Sequence, residues 1–248
     1  IGGMQYTLLE IIGFLAILGA VGFGLGHGLI RLIVNLKNPV NLKFAESHHI
    51  YNIVIRFGHW LNAIACITLV ISGFWMHYVE ISHTLGYVHN MAGRCFVVFW
   101  LLFLAYEIFT FDVQQYIVRG WEIKGGIIKQ ALFYAYGIFK QEEHPYHMTQ
   151  DARLNPLQKI AYFGIMFGLM PILGLSGLLL LEPAFMSPIV GAIGMENMKI
   201  VFIIHLAAAF GMLAYLLGHI YLATTGDKVL QHYKVMVSGD HEEYHRVG

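Results

Sequence analysis

Five long apolar stretches, at residues 6–34, 53–78, 87–111, 157–181 and 199–225, dominate this sequence. Each is long enough to cross the roughly 30 Å hydrocarbon core of a bilayer as a helix. In lipid a backbone must satisfy its own polar groups, so such stretches close into helices. The expected fold is therefore all-α and integral to a membrane, with five transmembrane helices. Composition points the same way: 57% of the 248 residues are hydrophobic and 12% charged, against about a quarter charged in soluble domains. Mean hydropathy is +0.62. Formal net charge is zero and no basic block occurs, so the bilayer is an expected partner and nucleic acid is not. The first stretch is too long for the apolar core of a signal peptide and has no basic segment before it, which reads as a retained helix. Its Gly22-x-x-x-Gly26 and Gly24-x-x-x-Gly28 offer a smooth packing face.

Basic residues set the expected orientation, because cytoplasmic connections carry an excess of Lys and Arg. Arg31, Lys37, Lys43 and Arg56 lie about the first connection, and Lys228, Lys234 and Arg246 lie in the tail. Arg119, Lys124, Lys129, Lys140, Arg153 and Lys159 lie in or beside the third connection. All share one side if the N-terminus is outside and the C-terminus cytoplasmic. Within the third connection Ile127, Ile128, Ala131, Leu132, Ala135, Ile138 and Phe139 recur at helical spacing among lysines. That predicts a helix lying on the membrane surface. The expected organisation is one membrane domain over 1–248. It comprises an extra N-terminal helix in 1–35, a four-helix core in 50–226, a cytoplasmic connection in 112–155 and a cytoplasmic tail in 227–248.

Ionisable side chains inside a membrane are costly, which makes each a candidate for function. Of the 14 histidines, His59, His89, His205 and His219 fall in the core spans. His205 and His219 share the last helix; fourteen residues return to within about 40° of one face and separate them by roughly 21 Å. Antiparallel helices then give each a partner at its own depth. His59, near the inner start of the second helix, matches His219; His89, near the outer start of the third, matches His205. Neutral imidazoles facing each other are suitable axial ligands for haem iron, so two stacked haems are expected. Cys66 and Cys95 form no CxxCH, which excludes covalent attachment and leaves haem b. Gly58, Ala63, Gly93 and Gly211 would give a flat macrocycle room. Arg56 and Arg94 are candidates to neutralise propionates, and Arg56 reads equally as an inner-side anchor. His27 reads as a packing histidine. Glu10 and Glu107 read either as proton-relay groups or as packing caps.

A resemblance adds to this. Arg56-Phe57-Gly58-His59-Trp60 resembles the R-x-x-H-W opening of the first haem-binding helix in the cytochrome b subunits of formate dehydrogenase (gamma), nickel–iron hydrogenase and thiosulfate reductase. The spacing of His205 and His219 resembles that group too. Leu154-Asn155-Pro156-Leu157-Gln158-Lys159 is similar to the N-P-x-Q-(K/Q) start of its third core helix. Within the group the chain is most similar to the thiosulfate reductase subunit, in the extra N-terminal helix, the stretch from Phe133-Tyr134 to His144-Pro145, and Gly226-Asp227. The likeness runs from about residue 25 onward. It implies a four-helix haem-binding bundle with two haem b, in the bacterial inner (cytoplasmic) membrane. Menaquinone or ubiquinone would be the exchangeable substrate. The partners it implies are an iron–sulfur subunit and, through it, a molybdopterin-type catalytic subunit of thiosulfate reductase or formate dehydrogenase type. The chain itself would not convert the terminal substrate. Asn155 and Gln158 match the family's quinone-site motif near the inner haem, with His232 and Tyr221 as further candidates. From the residues alone, Asn155 reads equally as a helix N-cap ahead of Pro156.

Other readings remain. A hydrogenase or a multihaem c-type cytochrome is the alternative partner. A histidine-lined transporter or proton channel would show inverted repeats, and none is found. His241-Glu242-Glu243-Tyr244-His245 matches HExxH, but in a polar tail without room for a third ligand downstream, so a zinc protease is not expected. His144-Pro145-Tyr146-His147 reads as a surface loop rather than a metal site.

Overall fold

Residues 7–181, 187–194 and 197–247 are described by the structure, a computed structural model. The chain runs α1 (Leu8–Lys37), β1 (Asn41–His49), α2 (Ile53–Tyr78), α3 (His83–Phe109), α4 (Ile127–Ala135), α5 (Pro156–Leu181), α6 (Ser187–Ile193), α7 (Met198–Leu222), α8 (Gln231–Ser238) and β2 (Asp240–Val247). Five helices, α1, α2, α3, α5 and α7, are long and apolar enough to cross a membrane, as hydropathy predicted. Their ends differ from the sequence reading by a few residues. α3 starts at His83 and stops at Phe109, close to Phe111, whose backbone is left-handed (φ 61°). The expected start of the first span at residue 6 lies outside the described residues. Leu8, Leu15, Leu18, Leu25 and Leu29 on α1 are each more than half exposed. An apolar surface of that extent needs lipid rather than water as its solvent.

Packing divides the chain into two compact units. The first takes in residues up to 17, 57–109 and 165–214. Gly13 of α1 lies so close to the ring of Phe210 that any side chain there would collide with it. Phe210 also meets Phe14 and Phe74, with ring centroids 5.4 and 5.1 Å away. These contacts join α1, α2 and α7. Thr7 and Glu10 form a capping box at the start of α1, with Thr7 N donating to Glu10 Oε2 at 2.7 Å and Glu10 N to Thr7 Oγ1 at 3.3 Å. Glu10 Oε1 also lies 3.0 Å from His77 Nε2 and accepts from Tyr78 Oη at 3.1 Å. Glu10 is thus a cap that clasps the end of α2. α5 contains a π turn at Ile165–Leu169, and Trp100 Nε1 donates to the Met166 carbonyl within it at 3.2 Å.

The second unit takes in 18–56, 110–164 and 215–248. His27 is buried, with Nδ1 on Tyr221 Oη and Nε2 2.7 Å from the Tyr134 carbonyl. α4 exposes Ile128 and Leu132 and buries Gln130 and Phe133, so an apolar face of this helix points away from the protein. β1 and β2 form an antiparallel ribbon, with Asn41 opposite Val247 and His49 opposite Asp240. Gly239 makes the turn from α8 into β2. Its φ is +92°, and an added Cβ would stand 2.5 Å from the Tyr51 carbonyl oxygen. Its own carbonyl accepts from Ile50 N (2.8 Å) and Tyr51 N (3.1 Å), and Arg56 Nη1 donates to the Val237 carbonyl.

Candidate functional site

In the first unit α2, α3, α5 and α7 bring His89 and His205 together, with ring centroids 6.5 Å apart and planes at 76°. Both are half-buried. Each is held from behind by a serine. Ser72 Oγ lies 2.9 Å from His89 Nδ1 and 2.6 Å from the Thr68 carbonyl. Ser176 Oγ lies 2.8 Å from His205 Nδ1 and 2.5 Å from the Ile172 carbonyl. A hydroxyl has one proton, and a carbonyl can only accept it. Each serine therefore donates to its backbone carbonyl and accepts from the imidazole, so Nδ1 is the protonated nitrogen in both rings. That leaves Nε2 of each ring with its lone pair, the atom that could bind a metal. Two imidazoles that each bound one iron through nitrogen at about 2.0 Å would have ring centroids roughly 6.4 Å apart, so these two donors and their spacing fit residues that would hold a haem iron.

The residue after each serine is glycine. A Cβ at Gly73 would stand 3.0 Å from His89 Cε1, and one at Gly177 would stand 3.3 Å from His205 Cε1. These two glycines give the rings room. The glycines singled out from the sequence meet other groups: Gly58 faces the ring of Phe103, and Gly93 and Gly211 face Leu69 and Leu169 at 3.7 and 3.8 Å. The Ser-Gly pair, repeated in two apolar helices, was the available sequence signal for these contacts with the two rings.

The remaining candidates are distributed between the units. His59 belongs to the first, beside Trp60 at 5.1 Å between centroids. His219 belongs to the second; Tyr215 stacks on it at 5.6 Å, and Tyr162 Oη is 3.4 Å from its Nδ1. Arg94 is exposed on α3. Arg56 holds the Val237 carbonyl through Nη1, while its Nε is buried with no hydrogen-bond partner among the described residues, a donor that suits a propionate.

The second unit also contains a polar cavity of about 80 Å³, lined among others by Tyr134, His144, Asn155, Gln158, His232 and His241. Asn155 and Gln158 form a reciprocal cap for α5: Asn155 Oδ1 accepts from Gln158 N at 2.9 Å, and Gln158 Oε1 accepts from Asn155 N at 3.0 Å. Asn155 Nδ2 donates to Tyr134 Oη at 3.2 Å. Lys159 and Glu122 close one wall as an ion pair at 2.8 Å, their side chains 2% and 3% exposed. Burial lowers the pKa of His144, His232 and His241 and keeps all three neutral; that of His232 falls to about 4, with His241 and His144 adding to the effect. The volume is well under the roughly 300 Å³ of a typical small-molecule site, so a quinone ring enters only if side chains move.

The profile of the family described as prokaryotic cytochrome b561 matches residues 50–239, a segment that holds all four candidate histidines. The chain is also 33% identical over 221 residues to "Putative cytochrome YdhU" of Escherichia coli (strain K12), covering 87% of this chain and 82% of that protein. Five membrane-crossing helices and a match over most of the chain agree: this chain belongs to the prokaryotic cytochrome b561 family, as a haem b-binding, multi-pass bacterial membrane protein of electron transport.

Proposed function

We propose that the chain is a di-haem membrane subunit that carries electrons between the quinone pool and an iron–sulfur subunit of a respiratory oxidoreductase of the thiosulfate reductase or formate dehydrogenase type. The observation that carries this reading is the serine-set pair His89 and His205, whose Nε2 atoms are left for iron. Haem b, when bound, supplies one-electron chemistry between ferrous and ferric iron. The chain's own residues fix the tautomer, hold the rings at a constant spacing and surround them with apolar helix. His59 and His219 are assigned to the second haem from their positions in the sequence, and Arg56 and Arg94 to propionates. The Lys and Arg asymmetry assigns an outer N-terminus and a cytoplasmic C-terminus in the inner membrane. In that orientation the subunit joins a cytoplasmic-side quinone site to an outer partner.

The quinone, menaquinone or ubiquinone, is assigned to the cavity around Asn155 and Gln158. Asn155 is committed to its cap and to Tyr134, which makes Gln158 Nε2 the donor for a quinone carbonyl. In nanodiscs, added quinol should reduce the haems, and Gln158→Leu should slow that reduction while leaving haem content intact. Failure of any quinol to reduce the haems would remove quinone from the account. For orientation, a cysteine at Ser82 should react with an impermeant reagent in intact cells and one at Ser238 should not; the reverse pattern would invert the assignment.

A further inference from the structure

The β1–β2 ribbon carries a set of side chains that electron transfer leaves unused. On a helix HExxH places its histidines one turn apart. On a strand side chains alternate, so in β2 His241, Glu243 and His245 share one face. The antiparallel register sets His48 opposite His241 and Glu46 opposite Glu243. One ligand atom each from Glu46, His48 and Glu243 lies within 4.8 Å of the others, and His48 Nε2 is 3.1 Å from Glu46 Oε1.

Glu46 and Glu243 stand directly opposite in the ribbon, where like charges repel. A ligand nitrogen of His48 lies within 4.8 Å of a carboxylate oxygen of each. On the same face, directly across from His48, His241 is 6% exposed, and its Nδ1 is buried with no hydrogen-bond partner among the described residues. His241 thus stands directly across the ribbon from the cluster's imidazole.

We propose that Glu46, His48 and Glu243 bind a divalent transition metal of the Zn²⁺ class, which clamps β2 to β1. One imidazole and two carboxylates suit zinc and its neighbours in the first transition series; magnesium and calcium prefer oxygen alone. The ligands come from two strands far apart in sequence, so binding stabilises their pairing by mass action. The Glu46 and His48 side chains are 61% and 43% exposed, which lets the ion exchange with solvent.

The test uses the full haem-loaded chain in nanodiscs, stripped with a chelator and dialysed against Zn²⁺, with metal counted by mass spectrometry. One Zn²⁺ per chain should bind at micromolar free concentration, in excess of haem iron. Glu243→Gln and His48→Gln should each weaken binding by at least the roughly tenfold that loss of an outer-shell partner costs. His245→Gln, on the same face but beyond the bulge at Ala45, should leave it unchanged. Glu46→Gln, at an exposed position, gives the same readout if Glu243→Gln disturbs the strand. Zn²⁺ should also slow proteolysis of the tail in the wild type and not in Glu243→Gln. No binding at micromolar Zn²⁺, binding untouched by both ligand variants, or equal competition by Mg²⁺ would each overturn the proposal.

Discussion

The two units treat histidine in opposite ways. In the first, His89 and His205 stand among apolar helices, and each has one nitrogen fixed by a serine whose own proton is committed to the backbone. In the second, His144, His232 and His241 crowd round a polar cavity walled by a buried ion pair. The imidazole is neutral in the second setting because burial and its neighbours disfavour the charge. The second unit fixes a proton too, since His144 Nδ1 lies 2.8 Å from the Tyr146 carbonyl, which can only accept. The settings differ in what surrounds the rings: apolar helix and a serine behind each in the first, crowded polar side chains in the second. A metal ligand needs a lone pair in a known place, and the first setting leaves two such nitrogens facing apolar surroundings.

The largest expected effect tests the polar unit. Lys159→Met leaves Glu122 charged and buried without its partner, a change that costs about 3–5 kcal/mol. Melting of the purified protein should fall markedly, while haem per folded chain stays the same. An unchanged melting temperature would mean that the cavity wall is not the rigid element described here. Next in size, Ser72→Ala and Ser176→Ala should each weaken haem retention by roughly 10- to 100-fold, measured as transfer to apomyoglobin. Ser238→Ala, in the second unit, should have no such effect. If the two core serines differ sharply, the symmetry drawn between them is wrong.

The smallest effect concerns acid. The pKa of His232 is lowered to about 4 in the folded chain from an ordinary 6.5. The folded state therefore binds fewer protons than the unfolded one near pH 5. The stability this contributes is fully present above pH about 6.5 and is lost as pH falls towards about 4. Melting temperature should decline across that window, and His232→Gln should flatten the decline. A variant with the wild-type slope would show that His232 is not the group responsible.

The spans were legible because lipid selects on composition, and 18-residue windows of mean hydropathy 1.6 to 2.4 are hard to miss. Their ends were less legible, since local backbone geometry such as that at Phe111 leaves no compositional trace. The ribbon was not legible at all. Asn41–His49 and Asp240–Val247 are polar, without apolar alternation, and are held by pairing between segments distant in the chain and by the Gly239 turn. The four histidines could be singled out by depth alone. The serines that set the tautomer of His89 and His205 could not be assigned from depth, because hydroxyls inside apolar helices usually bond their own backbone. Only contact with His89 and His205 gives Ser72 and Ser176 a further role. Gly58 was ambiguous for a similar reason: a small residue beside a histidine can make room for a neighbour's ring, here that of Phe103. The cavity drew its histidines from a loop, a helix and a strand, so no local pattern announced it.

The most direct test of the central claim is the number of haem b per chain, by pyridine haemochrome, in His89→Ala, His205→Ala and the double variant. If both imidazoles hold the same iron, the wild type contains two haems and all three variants contain one, because the second substitution removes nothing further. A double variant that loses both haems, or a single variant that keeps both, would contradict the pairing.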